Sequence, residues 1–355
     1  MPLFASLLRL FSGTSAPGAD AADPVGAAAR SSEPAAAAAP LRAPSAIRRH
    51  PRTEAEPAHA RDELDPLAGD PDRRFAALVL GVGKLRRGEA GSSERRILAQ
   101  IEQLAQGARD PHLVPRLPVV LPRLIGMVRR DDVSPRELSE RLARDPALVG
   151  EVVRLANSPR YRSGRDVASL QEAVIALGQR GLIQLVTNAV MRPIFDAGQG
   201  RFSRGAGTRL WDLTERCSFA CEAMSDEPDR FRAYLAGMVA NIGFIAALRV
   251  LDSRYQERQP PDTEGFHDAL IGAVARLSAQ IARQWNFHPD VCQAVAARAI
   301  RDDGTAQDGL TRTLRIADRI SKWHVLAPRL AGSALAGLDE SERRCYVELE
   351  RAFGG

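Results

Sequence analysis

His267 and Asp268 are adjacent, and His288 follows on the same stretch of chain. Imidazole and carboxylate are the groups with which a hydrolytic centre binds metal ions, engages phosphate oxygens and makes hydroxide near neutral pH. These three residues therefore define one enzyme reading, a metal-dependent phosphohydrolase. The structural alternative puts His267 and Asp268 on the first turn of a helix, after the acidic, proline-containing loop at 257–264, where an acid suits the helix dipole. Cys217 and Cys221 are four apart and share one helix face. Two thiolates at that spacing make half a zinc site, but no neighbouring His or Cys completes it in sequence. Buried small apolar residues is the better reading of both. Gly81-Val82-Gly83-Lys84 lacks the spacing of a phosphate-binding loop and the strand that should precede it. There is no Gly-x-Ser-x-Gly nucleophile elbow.

The elements that must position these groups are helices. Phe75, Leu78, Val79, Val82 and Leu85 share a face, and Ser93 can cap a helix carrying Ile97, Leu98, Ile101 and Leu104 that Gly107 ends. Val119-Val120-Leu121-Pro122 leads into a helix through Leu124 and Met127. Ser134-Pro135-Arg136-Glu137 and Ser169-Leu170-Gln171-Glu172 are capping boxes. Asp145-Pro146 opens a helix with Leu148, Val152, Val153 and Leu155 inward, and Gly178 should terminate the helix through Val174 and Leu177. Helical patterns continue at 181–194, 208–224, 231–250, 265–286, 289–301, 309–325 and 339–353, with no convincing alternating strand. The fold class is all-α.

Organisation follows from composition. Leu3, Phe4, Leu7, Leu8 and Phe11 form the stripe of a short amphipathic helix at 1–12, suited to a membrane surface or a partner. Residues 13–70 are Ala- and Pro-rich with almost no large apolar side chains, too little to offset chain entropy, and read as a disordered linker. A basic helical segment at 71–110, a domain at 111–305 and C-terminal helices at 306–355 packing on that domain complete the chain. The net charge is +5 over 355 residues, and all basic residues except Lys84 and Lys322 are arginine. Residues 71–130 carry the excess, net +7, against −2 before them and 0 after. Without interleaved aromatic residues this stretch is a solvated helix face, and no nucleic-acid partner is expected. Four cysteines in such a length make no disulfide framework. The longest uncharged run, Ala233 to Leu248, is shorter than a membrane span and holds Asn241, so it reads as a buried helix. Met1–Ser12 lacks the features of a secretory signal, and a cytoplasmic protein is the expectation, with residues 2–11 as a peripheral contact to the inner membrane.

A succession of motifs carries a family resemblance. Leu121-Pro122, Asp145-Pro146-Ala147-Leu148, Arg154-Leu155-Ala156-Asn157-Ser158-Pro159-Arg160-Tyr161, Ser169-Leu170 with Leu177-Gly178, Leu210-Trp211, Ala236 to Gly243, and Trp285 followed by Pro289 stand in order. Over roughly residues 111–305 the chain resembles the bacterial HDOD domain (HD-related output domain). The resemblance implies a helical fold akin to that of HD-type metal-dependent phosphohydrolases, and a signalling or regulatory role. It also locates the vestigial metal position. Where the related enzymes read Gly-Leu-Leu-His-Asp-Ile-Gly, this chain reads Gly237-Met238-Val239-Ala240-Asn241-Ile242-Gly243. Ala240 cannot ligate, and Asn241 is a neutral, poorer ligand for a hard cation. Leu213 and Val274 stand where family members often carry histidine, and the short helix after Pro289 has none. No cofactor or metal is therefore expected, and no catalysis. Asn241 should keep the interior polar without charge. Asn157, Tyr161, Arg162 and Trp211 are the candidate partner or ligand surface. The company such domains keep suggests cyclic-dinucleotide enzymes, kinases or response regulators as partners. Two alternatives stay open: a phosphohydrolase rearranged around His267, Asp268 and His288, and a nucleotide-binding receptor whose arginines surround the degenerate pocket.

Overall fold

The computed structural model describes residues 69–108, 110–118, 121–122, 146–158, 161, 166–196, 198–226, 228–300, 309–327 and 335–354. The expectations for residues 2–11, for most of the linker, for Leu124 and Met127, for the Ser134 capping box and for Arg162 lie outside them. The described residues from Gly69 onward belong to one compact unit made of α-helices. The single bridge among them pairs Arg86 with Thr263.

Helix α1 (Pro71–Leu80) starts because the Asp70 carboxylate accepts the Asp72 N–H at 2.9 Å and proline suits the first turn. It stops at Gly81, whose φ of 71° ends the helix before Val82 and Leu85 can continue its stripe. Helix α2 (Ser92–Ala105) is capped by Glu94, not by Ser93: the Glu94 carboxylate accepts the Gly91 N–H at 2.6 Å, while the Ser93 hydroxyl donates to Glu257. Glu94 also accepts from the Thr263 hydroxyl at 2.7 Å, which ties α2 to the start of the helix at Glu264–Gln284. Helix α3 is Pro146–Ala156 and α4 is Leu170–Asp196. The Ser169 hydroxyl accepts the Glu172 N–H at the start of α4, as its capping motif requires. Gly178, at φ 71° and ψ 176°, interrupts α4 where termination was expected.

The rest of the unit is α5 (Ala206–Ala223), α6 (Arg230–Ala240), α7 (Gly243–Arg254), α8 (Glu264–Gln284), α9 (Pro289–Ala297), α10 (Gly309–Leu326) and α11 (Glu340–Phe353). The apolar run read as one buried helix is two, α6 and α7, parted at Asn241-Ile242, and both are buried. Gly237 lets α6 lie against α5: a Cβ there would come within 2.6 Å of the Cys217 carbonyl oxygen. Gly243 does the same for α7 on α8, where a Cβ would meet the Val274 carbonyl oxygen at 2.5 Å.

Two apolar clusters result. One, built on Leu148, Val152, Leu182, Ile183, Val186 and Val190, joins α3 to α4. The larger takes in Phe75 of α1, Ile101 of α2, α5 to α9, Trp323 of α10 and Tyr346 of α11. The segments before residue 111 and after 305 thus share this core. Several arginines of the basic stretch are engaged within the fold: Arg73 pairs with Asp268, Arg86 with Asp262, and Arg74 lies over the Trp323 ring.

Candidate functional site

The break between α6 and α7 leaves backbone groups without helical partners, and charged side chains from distant helices meet them. Arg298, just past α9, donates to the Ala240 carbonyl at 2.5 Å and to Asn241 Oδ1 at 3.1 Å. Ser278 of α8 accepts the Gly243 N–H at 2.9 Å. Buried backbone groups have to be paired somewhere, and here the break is sealed by side chains.

Arg298 and Asn241 converge, with Lys322, on Asp318 of α10. One of its oxygens accepts from Asn241 Nδ2 at 2.7 Å, and the other from Arg298 and Lys322, each at 2.5 Å. Lys322 also donates to Asp72 of α1 at 2.5 Å. Asn241, Asp318 and Lys322 are all at least 95% buried. Burial by itself would raise the Asp318 pKa, but Arg298 and Lys322 outweigh it and hold it at about 2. Burial likewise works against the charged Lys322, yet Asp318 and Asp72 move its pKa above the ordinary lysine value. The interior around Asn241 is therefore charged and balanced, contrary to the expectation of polarity without charge. An isolated ion would be too costly there, and only mutual pairing makes the cluster tenable.

A cavity of about 620 Å³ opens beside this cluster. Asn241, Arg298, Asp318 and Lys322 border it, with Phe244 of α7, Ile271 and Val274 of α8, Asp70 to Arg73, Ile300, Arg315 and Arg319. An HD-type fold implies a metal at this place, and the residues present do not fit one. Ala240 has no ligand atom, Asn241 is committed to Asp318 and Arg298, and both Asp318 oxygens are occupied by donors. Among the described residues, no three His, Cys, Asp or Glu side chains are placed to share an ion.

The rearranged centre is not assembled. His267 is fully buried, with Nε2 against the Pro261 carbonyl at 3.1 Å, and burial lowers its pKa. Asp268 borders the cavity but forms a two-point ion pair with Arg73. His288 caps α9, its Nδ1 accepting the Asp290 N–H at 3.3 Å. Cys217 and Cys221 are both fully buried.

The expected partner surface fares unevenly. Asn157 is spent on backbone: its side chain donates to the Val167 carbonyl and accepts the Val167 N–H, each at 2.7 Å. Tyr161 accepts from Asn188, which in turn accepts from the Tyr234 hydroxyl at 2.6 Å. Trp211 is 5% exposed and packs edge-on against Phe195, so its ring offers no surface to a partner. Sequence reasoning missed Asp318, Lys322, Arg298 and Asp72. One signal existed. Asp318 and Lys322 fall on the same stripe as Leu314, Ala317 and Ser321, so the pair sits on the buried face of an amphipathic helix.

Comparisons with known proteins agree with this architecture. A family model described as HDOD domain matches residues 114–300. An uncharacterized protein of Treponema pallidum (strain Nichols) is 23% identical over 199 residues, 51% of this chain and 37% of that protein, so the chain spans little more than a third of that relative's length. Two solved structures share the fold at a TM-score of 0.52. One is an HDOD domain protein with unknown function from Geobacter sulfurreducens, 17% identical, covering 74% of this chain and 90% of its own. The other is from Shewanella amazonensis, named as a candidate metal-dependent phosphohydrolase, 18% identical, covering 74% of this chain and 99% of its own.

Proposed function

Because the chain belongs to the HDOD domain family, we propose that it is a non-catalytic module of signal transduction that acts by binding protein partners. One observation carries the non-catalytic reading: the Asp318 carboxylate, beside the Ala240-Asn241 position, is saturated by Asn241, Arg298 and Lys322. A guanidinium and an ammonium supply the positive charge that an enzyme of this fold would take from metal ions. The partners we propose are signalling proteins such as cyclic-dinucleotide enzymes, kinases or response regulators, met in the cytoplasm, with residues 2–11 as a tether.

The test has two arms. Metal analysis of the purified full chain, with hydrolysis of a phosphodiester probe in the presence of Mn²⁺, should give neither stoichiometric metal nor turnover above background. Stoichiometric metal that His267→Ala or Asp318→Ala removes, together with turnover, would revive the enzyme. Cross-linking in native extract, with and without residues 2–11, should recover a signalling protein; recovery of none would defeat the partner reading.

A further inference from the structure

The cavity has two features that the buried ion cluster leaves unused. Five cations line it (Arg73, Arg298, Arg315, Arg319 and Lys322) against four aspartates (Asp70, Asp72, Asp268 and Asp318). Arg73 is paired with Asp268, Arg319 with Glu342, and Arg298 and Lys322 with Asp318 and Asp72. Arg315 differs. It donates to the carbonyl oxygens of Ala297 at 2.6 Å and Ile300 at 3.0 Å, and among the described residues none of its bonds reaches a carboxylate. Its Nε is buried without an acceptor. The second feature is Ile300, which borders the same cavity and is 71% exposed.

We propose that this cavity binds a nucleoside phosphate, with the phosphate against Arg315 and the heterocycle along Ile300 and Ile271. An inorganic anion would neutralise Arg315 but leave Ile300 in water, and an apolar ligand would do the reverse. A molecule with both parts satisfies both. The two carbonyl bonds, both from Nη2, hold the Arg315 guanidinium in place, and Nη1 is left to donate to a phosphate oxygen. Asp70 and Asp72 at the same cavity give acceptors for ribose hydroxyls or an exocyclic amine, which a hydrocarbon body would not use. A volume of about 620 Å³ lies within the range of small-molecule sites. This inference goes beyond partner binding and does not depend on it.

Calorimetric titration of the full chain tests it, with adenosine and guanosine 5′-monophosphates and 3′,5′-cyclic AMP as ligands, and with the free nucleosides and pyrophosphate as half-ligands. At least one nucleotide should bind, with nucleoside and pyrophosphate each weaker by about tenfold or more. Arg315→Met should weaken nucleotide binding about tenfold. Ile300→Ser, at an exposed position that leaves the fold intact, should weaken nucleotide and nucleoside but not pyrophosphate. No heat from any nucleotide up to about 1 mM would overturn the proposal, as would pyrophosphate matching the nucleotides or both variants binding like the parent. Hydrolysis of the nucleotide during titration would uphold the site while overturning the non-catalytic reading.

Discussion

Asp318 is a carboxylate inside the protein that three donors hold ionised. Removing it strands Arg298 and Lys322 in a buried setting. Asp318→Ala is therefore expected to cost about 3–5 kcal/mol in urea unfolding, the range for breaking a buried ion pair from one side. Replacing Asp318, Arg298 and Lys322 together by Leu, Met and Met should cost less than the single change, because no charge is left unpaired. The pH dependence has a definite sign. The folded pKa of about 2 lies below the ordinary carboxylate value of about 4, so the unfolded chain takes up this proton first as pH falls. The contribution of Asp318 to stability is complete above about pH 4 and disappears as pH approaches 2. Denaturant midpoints measured across that window should fall in the parent. The Asp318→Ala variant should show a shallower fall.

At the scale of elements, glycines decide how closely helices approach. Gly243 faces the Val274 carbonyl oxygen and, at 2.8 Å from where a Cβ would stand, the Ser278 hydroxyl. Gly243→Ala must push α7 off α8 and disturb the Ser278 bond that seals the helix break. A loss of about 1–3 kcal/mol is expected, read as a lower urea midpoint at unchanged slope. The existence of most helices was legible along the chain, since periodic apolar stripes, Ser169 and Gly178 announce them locally. The break at Asn241-Ile242 was not. No glycine or proline stands at the break itself, and apolar residues run on through it. What holds it open is Arg298, Ser278 and Asp318, supplied from other helices.

For the whole molecule, the family match at residues 114–300 is only part of the packed unit. Phe75 lies edge-on to Phe244, Trp323 is 2% exposed, and Lys322 reaches across the fold to Asp72, 250 residues away in sequence. A chain trimmed to 114–300 would expose the faces that α1, α2, α10 and α11 cover and leave Arg298 without Asp318. Such a fragment is expected to lose cooperative thermal unfolding, by calorimetry, whereas residues 69–355 should keep it. A sharp transition in the shorter fragment would show that the outer helices are accessory.

Local patterns along the chain determined the all-α class and most helix boundaries, because each depends on neighbours within a few turns, where spacing alone is enough. The place of Ala240 and Asn241 at the vestigial His-Asp position came from the family resemblance. Tertiary structure decided what stands in place of the metal ligands. The stripe of α10 hinted at burial for Asp318 and Lys322, but their i, i+4 spacing is also that of a surface pair, and Arg298 is one arginine among many. Only packing removed them from water, and once they were buried the cost of an unpaired charge required that they meet. The same packing took Trp211 into the core and left Arg315 and Ile300 together at the cavity.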